Sequence, residues 1–241
     1  NSVAVTNSTA SSGGGDGDTI DEIRQNSLSQ FATQQRTVTA DDYLVRALSM
    51  PSNYGSISKA HITSVSLKDS PNAENTPILD LYTLTYDQNK KLATPSSTLK
   101  QNLRTYLSEH RMIGDVVNIK EAFIVNIGVN FGIIVLPNYN SSEVILNCIN
   151  SLIEYFSIDK WQINQPIILK ELNSLLDRVE GVQTVDNIEI VNKVGESLGY
   201  SRFGYDILGA TSSRIVYPSL DPMIFEVKYP TTDILGKVVS F

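Results

Sequence analysis

The chain's 241 residues are enough to bury a sizeable core as one or two domains. A formal net charge of −7 and a pI near 4.9 argue against a nucleic-acid groove or an anionic membrane surface as the main partner. The single cysteine, Cys148, excludes an intrachain disulfide framework and fits synthesis in a reducing cytoplasm.

The chain opens on Asn1 rather than Met, and residues 1–18 read as a linker from an upstream region. The expectation is therefore a C-terminal fragment of a longer protein. Residues 19–55 read as a helical cap. Thr19 and Glu22 form a capping box ahead of Ile20, Ile23, Leu28 and Phe31 on one helical face. Thr39 is the next N-cap, with Asp41 and Asp42 in a first turn where the helix dipole favours negative charge. Tyr43, Leu44, Ala47 and Leu48 supply the buried stripe of this second helix, and Pro51 stops it.

Residues 56–194 read as an α+β core. Strands are expected at 57–67 and 78–87, joined by a polar loop, and a helix at 97–111 with Leu99, Leu103, Tyr106, Leu107 and His110 on one side. From Val117 to Val135 every odd position is apolar except Glu121, the period-two signature of a half-buried strand. A break near Lys120–Ala122 divides this run into two strands. The other face, with Asn118, Lys120, Asn126, Gly128, Asn130 and Gly132, suits solvent or a second chain, and the two glycines mark a bulge or a close backbone approach. The run is too short, and its asparagines too regular, for a lipid-facing helix. A helix follows at 142–157, with Cys148 on its apolar face as a core thiol. A second follows at 166–179, with Pro166 at its first position and Gly181 ending it, and then a strand at 182–192. The order predicts an α+β fold with helices packed on a mainly antiparallel sheet, of split βαβ or ferredoxin-like flavour.

Residues 195–241 lose all periodicity to glycines, tyrosines and serines. Strands at 213–217 and 223–229, flanking Pro218–Pro222, suggest a hairpin that packs back on its own subunit or serves as an arm for a neighbour's sheet.

Catalytic equipment is sparse. His61 and His110 have no second histidine at metal-ligand spacing. Asp16-Gly17-Asp18 lacks the rest of a calcium loop, and Gly13-Gly14-Gly15 lacks the Lys and Ser/Thr of a phosphate cradle. Glu180 with Asp186 is a carboxylate pair of a kind that any acidic protein offers. The reading is a non-enzyme, with no catalytic residue, cofactor or metal assigned. Its rivals are a glycan hydrolase and a dimeric ligand-binding α+β module.

Five stretches stand out together: the glycine–acid loop Gly13–Asp16, the helix start Asp21–Arg24, the R-x-V-T-A-D-D-Y segment Arg36–Tyr43, the helix-to-strand passage around Ile113-Gly114-Asp115, and the Val-Glu-Gly-Val turn around Gly181. In combination these stretches resemble the baseplate J-like family of contractile-tailed phages. They span roughly residues 9–192. The resemblance implies a structural baseplate subunit that associates with itself, as a homodimer or through ring contacts, and with other baseplate wedge proteins. It implies assembly in the host cytoplasm and residence in the virion tail, with neither nucleic-acid binding nor membrane insertion. It also implies fold-defining roles for Thr39 as a cap, Tyr43 as core, and Gly114 and Gly181 as helix ends. Tyrosine offers large rigid area with a polar end. Tyr139, Asn140, Tyr200, Tyr205 and Tyr217 are accordingly the candidate interface residues.

Overall fold

The computed structural model describes residues 20, 24, 36–65 and 78–239. Of the first expected helix only Ile20 and Arg24 are described, both helical; its capping box, the linker 1–18 and the polar loop after the first strand lie outside the described residues. The fold is α+β, and the chain divides into two compact units, residues 1–122 and 123–241. That boundary falls inside the 56–194 span that patterning reads as one core. Helix 40–48 belongs to the first unit and the stretch 195–241 to the second.

In the first unit, α1 (Ala40–Leu48) starts at Thr39 with a complete capping box. The Thr39 hydroxyl accepts from the Asp42 amide at 3.3 Å, and the Asp42 carboxylate accepts from the amides of Thr39 and Val38 at 2.8 and 2.9 Å. Tyr43 and Ala47 are fully buried, whereas Leu48, expected on the stripe, is exposed. β1 (Lys59–Val65) pairs antiparallel with β2 (Ile78–Tyr86), which also pairs with the short β3 (Leu92–Ala93) and, in parallel, with β4 (Val116–Glu121). α2 (Ser97–Ser108) is capped by Ser96 and buries Leu99, Leu103, Tyr106 and Leu107. It ends three residues before the expected 111, because the Glu109 amide bonds back to the Tyr106 and Leu107 carbonyls and tightens the last turn. Tyr43, Ala47, Leu81, Leu99, Leu103 and Leu107 share one core. Each fully buried large aliphatic side chain of that cluster contributes about 1.5–3 kcal/mol.

The second unit is built on β5 (Phe123–Val135), separated from the end of β4 by Ala122 alone, so the run 117–135 does break into two strands at Ala122. β5 pairs antiparallel with β7 (Val182–Asn192) and parallel with β10 (Met223–Glu226) and β11 (Ile234–Val238). Its odd side chains Val125, Ile127, Val129, Phe131 and Ile133 are all buried, as alternation requires. The even face differs from expectation: Asn126, Gly128 and Gly132 are buried too, not presented to solvent. At Gly128 the backbone approach is close, since an added Cβ would lie 2.8 Å from the Asp233 carbonyl oxygen. The ladder with β7 shifts register between Gly132 and Ile133, which is a bulge.

α3 (Ser141–Tyr155) buries Val144, Cys148 and Leu152 at four-residue spacing. α4 (Leu169–Asp177) starts three residues after Pro166, which is thus not its first position. Ile167 and Ile168 form β6 instead, pairing with β9 (Ile215–Val216). Two β-branched residues favour the extended form, and proline's fixed φ suits an extended segment as well as a helix start. The C-terminal stretch does contain a hairpin, but its strands are β8 (Thr211–Ser212) and β9. Ser213 and Arg214 join them at φ 53° and 62°, as a two-residue primed turn demands. The strand expected at 223–229 leaves that hairpin. As β10, with all four side chains buried, it joins β5, and the four-residue helix α5 (Pro230–Asp233) leads on to β11. The stretch 195–241 therefore contributes strands to its own subunit's sheet.

Candidate interaction surface

The Val-Glu-Gly-Val turn brings the first candidate group together. The Val182 amide donates to the Val179 carbonyl, closing a turn in which Gly181 has φ 92°. The Tyr139 ring covers that turn: a Cβ added to Gly181 would sit 2.8 Å from the ring and 2.6 Å from Val144 Cγ2. The Tyr139 hydroxyl donates to Glu180 Oε1 at 3.1 Å, and this bond raises the Tyr139 pKa, because losing its proton would set two negative charges together. Asn140 next to it is the N-cap of α3, its side chain accepting from the Ser142 amide. Both residues stay exposed while performing these local tasks.

Tyr200 and Tyr205 are more deeply engaged. Tyr200 packs edge-on to Tyr229 with centroids 5.4 Å apart and donates to Asp233 Oδ1 at 2.6 Å. Burial first, then this carboxylate, pushes its hydroxyl up to about 12. Asp233 is itself wholly buried; it also accepts from the Tyr229 amide at 2.8 Å and lies 3.7 Å from Lys193 Nζ. A buried carboxylate needs such company, because an unpaired charge in a poorly hydrated site is costly. Tyr205 donates to the Tyr217 carbonyl at 2.7 Å, packs edge-on to Phe225, and has its main chain gripped at both polar groups by the Asn192 side-chain amide. Tyr205 and Tyr217 are thus brought together. Tyr217 keeps its side chain about half exposed (47%), in the stretch that also exposes Leu208 and Leu220.

A buried polar node was not anticipated from the sequence. Asn126 on β5 donates to Glu226 Oε2 at 2.7 Å and accepts from the Ser201 amide at 2.6 Å. Asn126 and Glu226 are both buried, so the node ties the segment after β7 to the sheet. One signal was legible: Glu226 interrupts the apolar run Met223–Val227, and a lone acid inside such a run calls for a partner.

Among the fold-defining candidates, Tyr43 donates its hydroxyl to Asp115 Oδ2 at 2.7 Å, tying α1 to the turn that holds Gly114. Gly114 has φ 105° in the Met112–Asp115 turn, six residues past the end of α2, with nothing within 4 Å of an added Cβ. His61 lies in β1 and His110 packs edge-on against Tyr106. Cys148 is fully buried, and burial pushes its thiol up to about 11. Among the described residues no group of three or more His, Cys, Asp or Glu could hold a metal ion, and no helix is long and apolar enough to cross a membrane.

No protein-family model matches the chain, and no curated protein matches it. Solved structures do. One chain of the cryo-EM structure of the anti-feeding prophage baseplate, 6-fold symmetrised, superposes with a TM-score of 0.53 at 13% identity. The match covers 87% of this chain and 42% of that one, so the chain spans less than half the length of its structural neighbour. The likeness shows the fold: that of a component of a phage-type baseplate.

Proposed function

We propose that this chain is a structural, non-enzymatic subunit of a contractile-tail baseplate, associating with itself and with neighbouring wedge proteins to build a ring. The observation that carries the reading is the shared fold with the anti-feeding prophage baseplate across most of the chain. The sequence resemblance to the baseplate J-like family supports it independently. Within that family the Asn/Ser/Tyr-rich character is most similar to the T-even-type wedge protein of the inner ring. On this reading the chain is assembled in the host cytoplasm and ends in the virion tail.

Ring closure requires contacts that repeat about an axis, two-fold or head-to-tail. Tyr139, Asn140 and Tyr217, which keep exposed surface, are the proposed contact residues. Tyr200 and Tyr205 are proposed to support the surface from beneath through Asp233 and the Tyr217 carbonyl. Light scattering of the purified chain over a hundred-fold concentration range tests the self-association. A discrete dimer weakened by Tyr217→Ser is expected. A strict monomer at the highest concentration would remove self-contact from the proposal.

A further inference from the structure

Unit one carries a second surface, separate from the tyrosines. β4 pairs with β2 along one edge, and its other edge has no main-chain partner among the described residues. Beside it, between α2 and β4, lies a hollow of about 520 Å³. Its lining combines Leu107, Val117 and Ile119 with Arg104 and Arg111, alongside the polar Thr105, Ser108 and Asn118. Leu107 is almost fully buried, and Val117 and Ile119 pack against the unit's core, so this lining is held in place by the fold.

The charges around the hollow are unevenly compensated. At one end of β4, Lys120 is paired with Asp80 at 2.6 Å, and Lys100 with Glu121 at 2.7 Å. Asp115 accepts the Tyr43 hydroxyl. Arg111 donates to the Asp115 main-chain carbonyl at 3.0 Å, a neutral acceptor that leaves its charge unanswered. Arg104 has no ion-pair partner among the described residues. Two arginines, whose guanidinium groups are the side chains best suited to fork onto a carboxylate, thus line the same hollow as Leu107, Val117 and Ile119. Val116, exposed, lines the hollow as well, and the exposed Met112 and Ile113 follow Arg111 in the chain.

An unpaired strand edge offers donors and acceptors that only another extended chain can satisfy in series. A helix laid in the hollow would leave them unmet. A nucleic-acid strand would need stacking faces, and no aromatic side chain is among the hollow's lining residues. A two-fold pairing of β4 with β4 of a second copy would bring like-charged arginines together.

We propose that the β4 edge and the adjoining hollow are a docking site for an extended acidic segment of a partner protein. That segment adds to β4 as a strand, sets alternate apolar side chains over Leu107, Val117 and Ile119, and pairs its carboxylates with Arg104 and Arg111. The site does not depend on the baseplate reading and is tested without it.

The test uses the full chain, fluorescently labelled, on immobilised nine-residue peptides in which valine alternates with glutamate, glutamine or lysine. The expected result is at least about ten-fold greater retention on the glutamate series than on the glutamine series, none on lysine, and steep loss with added salt. The double variant Arg104→Gln/Arg111→Gln, shown folded by an unchanged urea midpoint, should lose the preference. Amide exchange on β4 should slow when a soluble Val/Glu peptide is added. Equal retention on glutamate and glutamine, retention on none, a preference that survives the double variant, or slowing confined to other strands would each overturn the proposal. So would a dimer of the chain that the double variant dissolves, since that would make a second copy the occupant.

Discussion

Gly181→Ala isolates what the turn between α4 and β7 requires. Two separate costs follow from the structure. At φ 92° an L-residue pays about 1–2 kcal/mol for left-handed backbone. The new methyl would also sit 2.6 Å from Val144 Cγ2 and 2.8 Å from the Tyr139 ring, an overpacking cost of about 1–3 kcal/mol. The sum, about 2–5 kcal/mol, should move the urea midpoint down by roughly 1–3 M at a slope near 1.5 kcal/mol/M. Trp161 is the only tryptophan, is buried beside Phe156, and belongs to the same unit, so its fluorescence reports the transition. Gly114→Ala is the matched control: its φ of 105° carries the backbone cost, but nothing lies within 4 Å to add a clash. Circular dichroism should show a loss there of only about 1–2 kcal/mol. Tyr139→Ala should relieve part of the clash, giving a coupling with Gly181→Ala of about 0.5 kcal/mol or more. Equal losses at Gly181 and Gly114, with no coupling to Tyr139, would refute the packing argument.

Further outcomes are expected. Thr39→Ala should cost about 1 kcal/mol by removing the acceptor for the Asp42 amide, read by denaturant unfolding. Burial raises the Asp42 carboxyl, but the Thr39 and Val38 amides, the Thr39 hydroxyl and Arg46 outweigh it and hold the group below its ordinary 3.8. Its folded pKa being depressed, its contribution is present in full above about pH 4 and lost as pH falls through the folded value; Asp42→Asn should flatten that part of the stability–pH curve. Asn126→Ala should cost about 2–4 kcal/mol, because it strips a bond from buried Glu226 and leaves the Ser201 amide without its acceptor, whereas Tyr217→Ser should change stability by less than about 0.5 kcal/mol. Cys148, buried and with its thiol raised to about 11, should resist a disulfide reagent at pH 8 in the native protein and react fully in urea.

Local features were legible in the sequence and long-range ones were not. Thr39 could be read as a cap because its partner Asp42 is three residues away, and Tyr43 as core because its stripe repeats within one helix. The bond from Tyr43 to Asp115 spans 72 residues and leaves no periodic trace. Alternation located β4 and β5, yet after Glu121 period two resumes in the same phase in a strand of another sheet, so it hid the unit boundary at Ala122. It also divided β5 into two faces without saying what covers each. Asn126 seemed fit for solvent because the cover comes from Ser201 and Glu226, in a stretch without any regular pattern. The candidate tyrosines were chosen by residue type, which says what a side chain can do at a surface. It does not reveal that Tyr200 spends its hydroxyl on Asp233 or that Tyr205 spends its own on the Tyr217 carbonyl.

The central claim is that this chain is a baseplate subunit, and the most direct measurement is its position on an assembled particle. Gold-labelled antibody raised against the purified chain should be imaged on contractile particles produced by the genome that encodes it. The account predicts label confined to the tail end that carries the baseplate, on nearly every particle. Label along the sheath, on the head, or only on free protein would contradict it.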